Sequence, residues 1–290
     1  MLQLLSRCFP TLYLPIRRPL HIRPRLVSQV CTESQLLSAD FVALLEQMRE
    51  PMQLHRKLWE WAYIAQALKE RGLLKPGLRG LGFAVGTEPL ASLFASMGCD
   101  ILATDLAPSQ MDHQQSLWMS TGQHATSLTS LNTRGVCPAE EFEQRVRFRF
   151  ADMNDLPDDL GTFDFLWSSC SFEHLGTLEH GQRFMENALR FLKPGGIGVH
   201  TTEFNVESNG KTIESGPDVL YRRRDIETMA LRVAKRGGRM IERDYNVGAS
   251  ESDRHVDRAP YGRGPHLKLD YNGFVITSIG LIVEKTNPTG

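Results

Sequence analysis

After Gly72 the sequence settles into short apolar runs, LRGLGFAV, DILATDLAP, VRFRFADMNDLP, FDFLWSSCSFEHLG and GIGVHTTEFN, separated by longer segments of helical character. That alternation leaves few architectures open. A strand buried on both faces reads as a nearly continuous apolar run, and successive parallel strands need a crossover that is usually a helix. Two further runs, RMIERDYN and GFVITSIGLIVEK, close the chain. The pattern predicts an α/β fold: a doubly wound, mostly parallel seven-stranded sheet with helices on both faces.

Ahead of this region lies a different text. Residues 38–74 read as a helical cap, with Leu58, Trp61, Ala62, Ile64 and Ala65 near helical spacing and Gly72 as a stop. Within it, Trp59, Trp61 and Tyr63 either roof a site or pack on the sheet, and packing is the plainer expectation. Residues 1–37 form an Arg-rich leader. Its first 32 residues hold Arg7, Arg17, Arg18, Arg23 and Arg25, no acidic residue, and prolines at 10, 15, 19 and 24. Arg-rich, acid-poor composition is that of a mitochondrial transit peptide, but prolines spoil an amphipathic helix. A disordered leader, or a start placed too far upstream, is the expectation. The domain proper then spans 75–290.

Composition narrows the function. Lys and Arg number 33 against 34 Asp and Glu, which argues against an electrostatic nucleic-acid binder. Cys8, Cys31, Cys99, Cys137 and Cys170 make no C-x-x-C pair, so reduced thiols in a cytoplasmic protein are expected, with no zinc knuckle. No apolar run approaches the roughly 20 residues that span a bilayer.

The chemistry concentrates around GLGFAVGTEPL, residues 80–90, whose glycines fit neither G-x-G-x-x-G nor the phosphate loop. Its context is more informative than its spacing. The loop follows a first strand, Asp105 ends a second, Asp152-Met153 follows a third, and FLKPGG precedes a fifth. In that order these landmarks resemble the class I S-adenosylmethionine-dependent methyltransferases, over about residues 75–285. The resemblance implies S-adenosyl-L-methionine as cofactor and places Gly82, Ala84, Gly86, Glu88, Asp105, Leu106, Asp152, Met153 and Ser169 around it. Small residues at the first turn let the backbone approach the methionine part, and the helix behind offers N–H donors to its carboxylate. Asp105 would accept the ribose hydroxyls and Asp152 the adenine amino group. Lys193 to Gly196 turn a helix into a strand.

The departure from the family pattern is at the opening. Aligned on D-x-G-x-G-x-G, Gly82 stands at the acidic position, Ala84 at the first glycine, Gly86 at the second and Glu88 at the third. Glu88 either replaces the missing acid opposite the cofactor's ammonium or is a charge at a helix start.

For catalysis, His174 is the candidate general base and Glu203 its partner in orienting the acceptor or sharing the proton. An imidazole of ordinary pKa, about 6.5, suits that task. A structural role for the Glu173-His174 pair is equally open. Arg222, Arg223 and Arg224 read first as a solvated face and second as an anion clamp. Asp253, His255, Asp257 and His266 are ligand types without a metal spacing, so a polar loop is expected there and no metal is assigned. Ser168, Ser169 and Cys170 stand where magnesium-dependent relatives carry acids. The expected activity is methyl transfer to an oxygen or nitrogen of a small molecule or glycan. An NAD(P)-dependent oxidoreductase and a non-catalytic cofactor-binding module are the rivals.

Overall fold

The computed structural model describes residues 25–111, 123–262 and 264–286, and structural statements refer to these. One sheet contains β1 (Ser28–Val30), β2 (Arg79–Phe83), β3 (Asp100–Asp105), β4 (Val146–Phe150), β5 (Phe163–Ser169), β6 (Leu192–Asn205), β7 (Gly238–Met240), β8 (Arg243–Asp244), β9 (Leu269–Tyr271) and β10 (Phe274–Lys285). Strands β4-β3-β2-β5-β6 are parallel neighbours in that order, and β10 returns antiparallel beside β6. Strand order therefore reverses between β2 and β5. In open α/β sheets the crevice outside the carboxyl ends of the strands at such a reversal is where ligands bind.

The doubly wound, mostly parallel layout agrees with the sequence reading, but the strand count does not: the described sheet has ten strands, not seven. The additions are β1 and β9, each of three residues, and the expected strand RMIERDYN is split into β7 and β8. Runs so short carry no alternation to detect. Their place explains them. The edge of β10 away from β6 is covered in sequence by β9 at Phe274–Ile276, β1 at Ile279–Gly280 and β7 at Val283–Lys285. Three short partners thus satisfy backbone groups that a long apolar edge would expose. Part of the segment expected as a disordered leader consequently belongs to the sheet. Ser28–Val30 pairs with β10, and Glu33–Leu36 forms a helical turn, α1. The remainder of the leader, residues 1–24, lies outside the described residues, as does the segment 112–122, where the sequence around Trp118 has helical character.

Helices cover both faces. On one lie α2 (Ala39–Gln47), α3 (Arg56–Lys69), α4 (Leu90–Ser96) and α5 (Ala139–Arg145), whose apolar side chains merge with Phe165, Trp167 and Val199 of the sheet. On the other lie α6 (Leu178–Ala188) and α7 (Arg223–Lys235), packed on Leu81, Phe83 and Leu281. A short α8 (Glu251–Arg254) precedes the last hairpin. The expected cap helix is thus two helices broken around Pro51, and α3 is buried nearly all round. His55 starts α3 by accepting the Lys57 N–H at 3.0 Å.

The LKPGG turn takes an unexpected form. Leu192 pairs with Phe163 and Ile197 with Phe165, so residues 193–196 loop out of a ladder that otherwise continues, with Gly195 at φ 77°. Close packing explains another glycine. Trp59 stacks on Tyr63 at 4.7 Å, and the Tyr63 hydroxyl donates to the Val27 carbonyl at 2.6 Å. The Tyr63 ring lies flat over Gly280 of β10, where a Cβ would run into it. Gly280→Val should therefore cost about 1–3 kcal/mol, the usual penalty of overpacking, despite valine's strand preference. The midpoint of urea unfolding reads this directly; an unchanged midpoint would remove Tyr63 from that contact.

Candidate active site

At the strand-order reversal a single cleft of about 660 Å³ runs across the carboxyl ends of the sheet. One end is lined by Ala84, Gly86, Glu88, Asp105, Leu106, Asp152, Met153 and Ser169, the other by His174, Glu203, Asp218 and Tyr271. Every expected site residue but Gly82 borders it. Gly82 lies inside the sheet, paired with Ala103 and Trp167. A Cβ there would strike the Trp167 indole and Val85, and one at Gly80 would strike Phe165. Two of the three glycines that draw attention to this stretch therefore make room for aromatic rings of β5. The space that an acidic side chain would need at position 82 is filled by Trp167.

The turn itself is built for close approach. Ala84 has φ 44° and Gly86 φ 54°, both left-handed, and α4 begins beyond it at Leu90 with Pro89 as its cap. Glu88 is no ordinary helix-start charge. Its Oε1 is 3.5 Å from Lys57 Nζ, and the carboxyl, shielded from solvent at Oε2, lies against Trp61 and Ser169. Burial pushes this carboxyl up to about 7, with Lys57 pulling the other way.

Asp105 sits at the end of β3, as expected, but its carboxylate is already engaged. Oδ1 accepts the Leu106 N–H at 2.9 Å and faces His124 Nδ1 at 3.1 Å; Oδ2 accepts the N–H groups of Gly86 and Ala125, each at 3.1 Å. A carboxylate offers about four acceptor sites. His124 also bonds the Leu106 carbonyl at 2.9 Å, and the Gln123 carbonyl accepts from Thr87 N–H at 3.0 Å. The returning end of the segment after β3 is thus pinned across the glycine turn. Burial disfavours the His124 imidazolium, but the bond to Asp105 wins and raises its pKa.

The least legible part of the site comes from α3. Glu60, wholly buried, faces Lys57 Nζ at 2.8 Å and Arg56 Nη1 at 3.3 Å, and accepts from Cys170 Sγ at 3.0 Å and from the Ser278 hydroxyl. Ser169 adds a bond at 3.4 Å. Burial would raise the Glu60 carboxyl, yet the two cations hold it down to about 2. Arg56 continues to Glu203, Nη2 to Oε1 at 2.5 Å. Within HRKLWEWAY only the spacing Arg56-x-x-x-Glu60 and Lys57-x-x-Glu60 hinted at such pairs, and on a solvated helix the same spacing would be unremarkable. Trp61 lines the cleft, whereas Trp59 and Tyr63 are packing residues, so the aromatic trio divides between its two readings.

At the far end His174 Nδ1 lies 2.8 Å from Asp218 Oδ1 and 3.1 Å from the Pro217 carbonyl, and Tyr271 donates to the same Asp218. Two acceptors at Nδ1 fix the proton there. Burial opposes the charged ring, but Asp218 and Glu173 raise its pKa above the ordinary value. His174 therefore holds its proton more firmly than the unperturbed imidazole expected from sequence. Glu203 is the reverse case: burial pushes it up to about 7 against Arg56, with Glu173 adding repulsion. The proton-accepting role fits Glu203 better than His174.

Glu173, Glu203 and Cys170 bring one potential ligand atom each within 4.8 Å of one another. Arg56 already pairs with Glu203 and the Cys170 thiol donates to Glu60, so protein cations and hydrogens occupy part of this set. The polar loop is dispersed. Asp253 caps α8 and accepts the Glu33 N–H, Asp257 pairs with His266 at 2.6 Å, and His255 shares neither contact. In the arginine run, Arg222 is buried and bonded to Asp225 and Glu214, Arg223 covers Tyr245, and Arg224 faces Glu214 at 3.6 Å. None of the three lines the cleft. The solvated-face reading holds for Arg224 but not for Arg222.

Residues 81–199 match the family model described as a methyltransferase domain. No curated protein matches the sequence. Solved structures with similar backbones include a magnesium protoporphyrin IX methyltransferase from Synechocystis with bound SAH, 10% identical, covering 87% of this chain and 97% of that one at a TM-score of 0.45. An S-adenosylmethionine-dependent methyltransferase from Clostridium acetobutylicum is 13% identical, covering 85% and 98% at 0.43. Another from Mesorhizobium loti is 13% identical, covering 76% and 97% at 0.46.

The two raised carboxyls make a stability prediction. Glu88 and Glu203 start from 4.5 and reach about 7 in the fold. Between those values the folded chain holds protons that the unfolded chain has lost, so stability falls as pH rises through the window. The unliganded protein should lose up to about 3 kcal/mol per group, on the scale of 1.36 kcal/mol per pKa unit. Thermal melts from pH 4.5 to 7.5 should show Tm declining, and Glu88→Gln should flatten the decline. An equally steep decline in that variant would remove Glu88 as a source.

Proposed function

We propose that the chain is a class I S-adenosylmethionine-dependent methyltransferase, a reading supported by the match of its residues 81–199 to a methyltransferase domain, and that it transfers the methyl group to an oxygen or nitrogen of a small molecule or glycan. The observation that carries the proposal is the continuity of the cleft. The residues expected around the cofactor border one end, and Glu203 and His174 border the other.

The residues at the first end fit the cofactor. Glu88 offers a buried carboxyl at the edge of the cleft, the complement of an ammonium, and Lys57 beside it offers a cation to a carboxylate. Ala84 and Gly86 bring backbone close without side-chain bulk. Asp105 with Leu106 would hold the ribose, Asp152 with Met153 the adenine, and Ser169 the wall between the two ends. When bound, the cofactor supplies a methyl group on a sulfonium, an electrophile strong enough to need no metal.

What remains for the protein is alignment and removal of one proton. Glu203 takes that proton in this proposal, since a carboxylate with a pKa near 7 both binds and releases it at neutral pH. Arg56 fixes the Glu203 carboxylate through one oxygen and leaves the other for the acceptor. His174, held against Asp218, forms part of the wall at the acceptor end. Tyr271 and Leu269 close the wall.

Purified protein should bind S-adenosylhomocysteine in calorimetry and show no binding of nicotinamide cofactors. Glu88→Gln should weaken that binding by roughly 10- to 100-fold, corresponding to about 1.5–3 kcal/mol for a hydrogen bond to a charged group. Methyl transfer should persist in EDTA. Binding of a nicotinamide cofactor instead would favour the oxidoreductase, and loss of turnover in EDTA, restored by a divalent ion, would turn Cys170, Glu173 and Glu203 into ligands.

A further inference from the structure

Charge around the cleft is uneven. Glu88 and Glu203 border it, Glu60 and Glu173 are buried behind its wall, and the cap helix brings two cations to these four carboxyls, Arg56 and Lys57. Glu60 engages both of them. Arg56 reaches Glu203 through Oε1 alone, and Lys57 reaches Glu88 only at 3.5 Å. For Glu173 the nearest basic group is His174 Nε2 at 3.9 Å, on a ring already paired with Asp218. Glu203 Oε2 and Glu173 Oε1 are both shielded from solvent with no hydrogen-bond partner, although Glu203 itself borders the cleft at 8% exposure. Such groups are costly unless something completes them.

We propose that the acceptor is a basic amine, seated as an ammonium against Glu203 at the carboxyl end of β6, with the buried Glu173 supplying the second negative charge behind it. This deepens the methyl-transfer reading and rests on it. A hydroxyl acceptor would give one hydrogen bond and bring no charge to offset the burial that disfavours both carboxylates, whereas a cation would. A carboxylate or phosphate would meet like charge at close range. An ammonium offers donors and the missing positive charge together, and one oxygen from each carboxylate lies within 4.8 Å of the other, a span that two hydrogen bonds of ~2.8 Å to a shared nitrogen can bridge. The surrounding wall of Leu220, Leu269, Ile276 and Tyr271 suits an amine with an apolar body.

The proton count closes with the residues present. A bound ammonium gives one N–H proton to the Glu203 carboxylate and so gains the lone pair it needs as a nucleophile. After methylation the nitrogen again carries four bonds and leaves as a cation, and Glu203 returns its proton to water through the cleft. No second base and no metal is required.

Calorimetry at pH 7 tests the inference with straight-chain amines of three to six carbons against the alcohols and carboxylic acids of the same lengths, first with the protein alone and then saturated with S-adenosylhomocysteine. At one chain length or more, the amine should bind at least tenfold tighter than its alcohol, and the acid should bind weakest. Glu203→Gln should erase that preference while S-adenosylhomocysteine affinity stays within threefold, and Glu173→Gln, the second variant should the first not fold, should reduce it. Amines no better than alcohols at every length, or a preference that survives in the variants, would overturn the assignment. So would stoichiometric binding of manganese that displaces the amine. Absence of S-adenosylhomocysteine binding is a separate result, and it would overturn the methyl-transfer reading beneath.

Discussion

The geometry of the cleft depends on one buried carboxylate. Glu60, with no exposed surface, accepts hydrogen bonds or ion pairs from Arg56, Lys57, Ser169, Cys170 and Ser278. Those partners come from three separate parts of the chain: helix α3, the end of β5 and the middle of β10. A charge so enclosed is tolerated only because it is paired and hydrogen-bonded, and removing one partner of such a pair costs about 3–5 kcal/mol. The same cluster points Arg56 at Glu203 and Lys57 at Glu88. The N-terminal helix is therefore a wall of the site as well as a cover for the sheet.

This division of labour explains what could be read in advance. The strand at β3 and its closing Asp105, the strand at β5 and the long β10 were legible because each is an apolar run with a clear end. The partners β1 and β9 were not, because three residues carry no period. The ladder of β6 shows a different failure. KPGG reads as a turn between elements, and turn chemistry alone cannot say that the strand resumes its pairing on the same neighbour after three extra residues.

Within the site, residues defined by backbone position were legible and those defined by side-chain company were not. Gly86, Asp105 and Met153 border the cleft because the topology delivers those positions to the carboxyl ends of strands. Gly82 shares the same motif but belongs to packing, since only contact with Trp167, 85 residues away in sequence, decides its role. Arg56, Lys57 and Glu60 looked like an ordinary charged helix surface. Their function follows from burial, which no spacing along α3 reveals. His174 and Glu203 were legible as candidates, but the balance between them rests on Asp218 and Arg56, and the chain brings those in from afar.

Saturation of Asp105 gives the long segment after β3 a physical consequence. Two of the four donors on that carboxylate, His124 Nδ1 and the Ala125 N–H, belong to the segment, and the other two, Gly86 N–H and Leu106 N–H, belong to the turns that shape the pocket. A ribose hydroxyl that reaches Asp105 must take the place of one of the first pair, because losing either of the second would undo the pocket itself. The exchange is close to even in hydrogen bonds. It is less even in charge where His124 is displaced: the ring loses the carboxylate that raises its pKa, and a hydroxyl brings Asp105 no charge in return. The segment crossing the glycine turn and the sugar of the cofactor thus compete for the same lone pairs, and their relative hold on Asp105 sets how readily the cleft admits its first ligand.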